Sequence, residues 1–202
     1  MKRYYRRVTA LASLAFLAGC SGSKLSVITN VPPPSEPITV IAMAPSGGIL
    51  ADAVAFEFLN YGLQIFDTNQ TSNLLVRLNL SEVEVMSPSN LNRLSEEGFN
   101  AIIFVRTVAG YDDKPQSASI RVQQTTDGRV VAGVSWQNGS GFMRDSPLDM
   151  GQRKDVVEAA EEIAEALARQ LRLTSNRDPQ EGPKNADRNQ IRRPGRRGFP
   201  SR

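Results

Sequence analysis

Histidine is absent from this 202-residue chain, and cysteine occurs once, at Cys20. Those two facts remove most side-chain chemistry. Without an imidazole there is no Ser-His-Asp or Cys-His relay and no histidine ligand for a transition metal. A lone cysteine closes no disulfide within the chain and builds no multi-cysteine zinc site. Acids, serines and glycines remain. Asp112-Asp113 and the pair Asp145/Asp149 are of the type that hydrolyses glycosides or holds calcium. No supporting ligand spacing surrounds them, so they read as solvated loop residues. Pro45-Ser46-Gly47-Gly48 sits where a strand-to-helix turn would cradle a phosphate. It lacks both the Gly-Lys-Ser/Thr ending and the G-x-G-x-x-G spacing, and helix capping accounts for it. Gly139-Ser140-Gly141 lacks the pattern of a nucleophile elbow. The expectation is a protein without catalytic residues, metal site or cofactor.

Cys20 itself has the most specific surroundings in the chain. Lys2, Arg3, Arg6 and Arg7 precede an apolar run from Val8 to Leu17, which ends at Leu17-Ala18-Gly19-Cys20. A run of about ten residues is too short to span a bilayer, which takes about 20, and reads as a cleaved signal over residues 1–19. Leu17-Ala18-Gly19-Cys20 resembles the bacterial lipobox. The resemblance implies cleavage between Gly19 and Cys20, lipidation of Cys20 and a membrane anchor through that N-terminal lipid. Acyl chains contribute about 0.8 kcal/mol per buried methylene, and three of them anchor permanently. The alternative is an ordinary secretory peptide. By resemblance to enterobacterial sorting, Ser21 favours the outer membrane, with the protein facing the periplasm.

Charge divides the chain the same way. Residues 1–19 carry +4, residues 174–202 carry +5, and residues 20–173 hold 12 basic and 18 acidic side chains, a net of −6. Nucleic-acid binding needs a basic face on the fold itself, and an acidic body in the envelope excludes that partner. Residues 20–36, rich in Ser, Gly and Pro, are expected to be a lipidated flexible tether with a reach of roughly 50 Å. Residues 174–202 carry four prolines and only Ile191 and Phe199 as large apolar residues, the composition of a disordered tail. Its cluster Arg192-Arg193-Pro194-Gly195-Arg196-Arg197 is either simply solvated or docks an anionic envelope component.

Between these ends, residues 37–173 carry the periodicities of one α/β domain. Ile38–Met43 is a β-branched run bounded by prolines, and Ile49–Tyr61 is a helix apolar on two adjoining flanks, closed by Gly62. A short strand follows at Leu63–Phe66, then helices over residues 70–80 and from Ser87 to Glu97. Ala101–Val105 is continuously apolar, as a strand covered on both faces would be. Residues 118–123 and 130–136 alternate around Asp127-Gly128, a hairpin signal, with Trp136 packing in the core or at its rim. Val156, Ala160, Ile163, Leu167 and Leu171 form the stripe of a final helix. The expected fold class is α/β with order β-α-β-α-α-β-β-β-α. Its mixed sheet has three parallel strands extended by an antiparallel hairpin, with helices packed on it.

Three features carry a family resemblance: the strand-helix-strand opening, Leu91-Asn92-Arg93-Leu94 leading to Gly98-Phe99-Asn100-Ala101, and the following hairpin. Over about residues 37–173 the chain is similar to the periplasmic domain of curli-secretion-channel-type lipoproteins. It is similar also to lipoproteins that activate penicillin-binding proteins, and to the N-terminal domain of the Tol-Pal β-propeller protein. The family's Gly-Ser after the third strand is Arg106-Thr107 here, and no long alternating insertion of the kind that builds a transmembrane barrel is present. The resemblance implies a non-catalytic, lipid-anchored module that binds an envelope protein partner, in cell-wall synthase activation or in a secretion apparatus. The alternative is a homo-oligomer, as the subunit of an outer-membrane secretion channel or ring.

Overall fold

The computed structural model describes residues 22–110, 114–139 and 153–176. Strand β1 (Ser23–Val27) precedes β2 (Val40–Met43), a 3-10 turn at Pro45–Gly47 and helix α1 (Gly48–Leu59). Then come β3 (Gln64–Phe66), α2 (Thr68–Arg77), α3 (Glu82–Val85) and α4 (Pro88–Glu96). Strands β4 (Ala101–Ala109), β5 (Pro115–Gln124) and β6 (Val130–Asn138) lead to α5 (Val156–Leu171). The six strands form one sheet in the order β1-β6-β5-β4-β2-β3. Strand β2 is parallel to both β3 and β4, while β4, β5, β6 and β1 pair antiparallel. The expected mixed α/β architecture is observed, with one extra strand and one extra four-residue helix.

Alternation along β4 builds two cores. Ile103 and Val105 join Leu50, Val54 and Phe58 of α1 and Ile163 and Leu167 of α5 on one face. Ile102 and Phe104 point the other way, into Leu74, Leu75, Leu91 and Leu94 of α2 and α4. All of Ala101–Val105 is buried, as a continuous apolar run requires. The hairpin turns where Asp127-Gly128 indicates, with Gly128 at φ 70°. Trp136 is fully buried in the α1/α5 core. Asn100 ties the start of β2 to β4, because its Oδ1 accepts from the Thr39 and Val40 amides at 3.0 and 2.9 Å and from Thr39 Oγ1 at 2.8 Å.

The structure corrects one boundary. Residues 23–27, which composition assigns to the flexible tether, are β1, registered on β6 from Ser23↔Asn138 to Val27↔Val134. Ser-Lys-Leu-Ser-Val alternates, and Leu25 packs against the core. The Ile28 amide then donates to Gly133 O at 2.9 Å. Gly133 leaves room for that side chain, since a Cβ there would lie 2.3 Å from Ile28 Cδ1. Farther on, the Ser35 amide donates to Gln124 Oε1 at 3.1 Å. Only two residues separate Cys20 from Ser23, a reach of about 10 Å and not of 50 Å. A lipid on Cys20 would hold the sheet edge directly at the bilayer.

Glu162 of α5 clamps that strand. It accepts from Ser23 Oγ at 2.7 Å and from Trp136 Nε1 at 2.8 Å, and it pairs with Lys154 Nζ. Partial burial pushes its carboxyl up, but the hydrogen bonds from Lys154, Trp136 and Ser23, with the Lys154 charge, outweigh burial and hold it below its ordinary 4.5. A carboxyl lowered in the folded state stabilises the fold fully above its unfolded value of 4.5. That contribution disappears as the pH falls through the lower folded value. Acid titration followed by hydrogen exchange is therefore expected to open β1 below pH 4.5 before the central strands. In Glu162→Gln the early opening disappears from the pH profile, because no carboxylate is left to protonate.

Candidate interaction surface

The phosphate-like turn is already occupied from within the fold. The Ser46 amide donates to Glu82 Oε2 at 2.9 Å, and Ser46 Oγ also donates to the Glu82 carboxylate. A carboxylate on α3 thus takes both donors of Ser46. Gly47 has a packing reason: a Cβ there would lie 2.3 Å from Ala51 Cβ and 3.3 Å from Val105 Cβ. Among the described residues no group of three Cys, Asp or Glu is arranged to hold a metal ion. No described helix is long and apolar enough to cross a membrane. Gly19, Cys20, Asp112, Asp113, Ser140, Asp145, Asp149, Arg192, Arg193, Arg196 and Arg197 all lie outside the described residues.

The surface feature that needs explanation is α1. A helix that is apolar all round belongs in an interior. Here Leu50, Val54 and Phe58 face the core, but Ile49 is 78% exposed, Phe56 68% and Leu59 51%. Its two acids do not offset this, since Glu57 is buried while Asp52 stands beside the exposed stripe. Isolated exposed apolar residues are normal on any protein. Three at positions 49, 56 and 59 share one side of one helix, because steps of seven and three keep them in register.

At its C-terminal end the stripe opens into a groove of about 470 Å³ between α1, β3 and the start of α2. Phe56, Leu59, Ala55 and Ile65 supply the apolar wall, Asp52 and Asp67 the polar one, and among the described residues no Lys or Arg lines it. Each acid is set by local chemistry. Asp52 accepts from Thr68 Oγ1 at 2.8 Å. Asp67 caps α2 by accepting the Gln70 amide at 2.7 Å, with the Gln70 side chain returning the bond to the Asp67 amide in a capping box. Strand β3 is the last in the sheet, and its outer edge meets no other described strand. The site is thus an acidic-rimmed apolar groove beside a strand edge that is open among the described residues.

No protein-family model matches the sequence, and no curated protein matches it. Among solved structures, the chain is similar to a PelC dodecamer from Paraburkholderia phytofirmans, at 11% identity over 75% of this chain and 99% of that one, with a TM-score of 0.43. It is similar to TolB from Acinetobacter baumannii, at 10% identity over 73% of this chain and 31% of that one, with a TM-score of 0.42. Lipoprotein GNA1162 from Neisseria meningitidis is 17% identical over 64% of this chain and 99% of that one, with a TM-score of 0.40. At these scores the likeness carries no argument about function.

Proposed function

We propose that this protein is a lipid-anchored, non-catalytic module of the bacterial envelope that docks a protein partner through the exposed face of α1. The observation that carries this reading is the solvent exposure of Phe56, with Ile49 and Leu59, on an otherwise buried type of helix. Contiguous apolar surface rimmed by polar groups marks sites where proteins meet. The complementary partner presents an apolar face with basic flanks, to match Asp52 and Asp67. The lipobox-like Leu17-Ala18-Gly19-Cys20 supports anchoring, and the short span to β1 supports a domain held at the membrane surface. Reaction chemistry has little to work with in a chain free of histidine.

The test replaces the gene in its own host with two full-length variants. Phe56→Glu is expected to reproduce the phenotype of gene deletion while the protein stays abundant, folded and membrane-bound. Cys20→Ser is expected to release a folded protein from membranes washed in high salt. A Phe56→Glu strain indistinguishable from wild type overturns the docking face. A Cys20→Ser protein that still pellets overturns the anchor.

A second reading rests on the two ends of the sheet. Strands β1 and β3 both present outer edges unpaired among the described residues. Pairing β3 of one copy with β1 of the next would be a head-to-tail contact, which generates a ring when the rotation closes. Gel filtration of the detergent-extracted protein separates a monomer from a ring.

A further inference from the structure

The described chain ends at the C-cap of α1, next to the groove wall in sequence. The Asn176 amide donates to Asn60 O at 2.8 Å, and the Asn176 side chain lies 3.1 Å from where a Cβ on Gly62 would stand. Asn60 is the C-cap of α1 and follows Leu59 of the groove wall. The C-terminal segment therefore leaves from the C-terminal end of α1, held at the residue that follows Leu59 of the groove wall. From Asn176 to Ile191 is 15 residues, which as a flexible chain spans about 20 Å on average and about 50 Å at most. What it delivers there is Ile191-Arg192-Arg193-Pro194-Gly195-Arg196-Arg197-Gly198-Phe199, two apolar side chains bracketing four arginines.

We infer that residues 191–199 fold back onto the groove between α1, β3 and the start of α2, and cover the exposed face of α1. Three observations select this occupant over any other. The tail is tethered at the groove, so its local concentration there is of the order of mM without any intrinsic affinity. The charges are complementary, because the groove carries Asp52 and Asp67 and, among the described residues, no cation, while residues 174–202 carry +5. The apolar residue types correspond too. Ile191 and Phe199 are the tail's only large apolar residues, and the groove offers Phe56, Leu59 and Ile65. Pro194 keeps the segment from forming a helix and favours the extended form that an open strand edge accepts. Ionic contacts at such an exposed site are weak and screened by salt, so the cover is displaceable. A partner with a better apolar face would exchange with it. The inference shares the α1 face with the proposed function but stands without any partner.

The full chain carrying Cys20→Ser has no thiol, so two introduced cysteines can be joined by a bis-maleimide. Pro200→Cys, which leaves Ile191, Phe199 and the arginines in place, is paired with Asn69→Cys, an exposed groove position, or with Val83→Cys, an exposed position on α3. An intramolecular product is expected in several-fold higher yield with position 69 than with position 83. That excess is expected to fall away when Arg192, Arg193, Arg196 and Arg197 are all changed to Glu, and in high salt. Equal yields at 69 and 83, a product only of dimer size, or a yield indifferent to the arginines would each overturn the inference. A tail that co-sediments with anionic vesicles and shows no preference for position 69 would assign it to the membrane instead. None of these outcomes depends on a Phe56→Glu phenotype, so the two proposals fail separately.

Discussion

Replacing Leu167 by Ala is expected to cost about 2–5 kcal/mol of stability, the range for removing a large aliphatic side chain from a packed interior. Leu167 is fully buried, on the face of α5 that meets Trp136 and the sheet. The neighbours that would have to collapse into the void, Ile163 and Leu171, are fixed on the same helix, so the cavity stays open. Against a domain margin of about 5–15 kcal/mol, this is a large fraction. Chemical denaturation of the full chain with Cys20→Ser measures it, and an unchanged midpoint would mean that α5 is not part of the core. Val157→Ala supplies the contrast on the same helix. Its side chain is 64% exposed, and surface changes stay within about 0.5 kcal/mol.

Gly47→Ala is expected to be the most damaging small substitution, with a loss of about 1–3 kcal/mol from overpacking. The new methyl would approach Ala51 Cβ at 2.3 Å, and Ala51 has no rotamer with which to yield. Relief would require α1 to lift from β4, where Val105 closes the other side. Ser46→Ala removes only an exposed hydroxyl bond to Glu82 and is expected to be mild. If that turn instead bound phosphate, Ser46→Ala would abolish binding of inorganic phosphate, and the account expects no such binding to abolish. Comparing the two denaturation midpoints settles which residue type the turn needs.

How far the residues alone predict this arrangement depends on the range of the interaction. The stripe from Val156 to Leu171 is a regular helical repeat with Asp155 as its cap, and the repeat makes α5 visible. The buried run Ala101–Val105 and the Asp127-Gly128 turn are equally local signals. Strand β1 is not. Its five residues look like linker by composition, and their fate is decided by β6, more than a hundred positions away. Helix α3 spans only four residues, too few for any period to register. The Glu162 clamp joins Ser23, Trp136 and Lys154, three residues with no sequence relation to one another. The groove was half visible. Both flanks of α1 are apolar in the sequence, but periodicity cannot say which flank stays in water when every side of the helix is apolar. Packing of α5 and the sheet against Leu50, Val54 and Phe58 makes that choice and leaves Phe56 outside.

The docking face is tested most directly by a photo-crosslinking amino acid placed at position 56 of the full, lipid-anchored chain in living cells. Position 76 on α2 serves as a control, because Val76 is 76% exposed but lies away from the groove. The account predicts a discrete heavier adduct from position 56 and none from position 76. The absence of a heavier adduct from position 56, whether or not the chain also links to its own residues 191–199, or the same adducts from both positions, would contradict it.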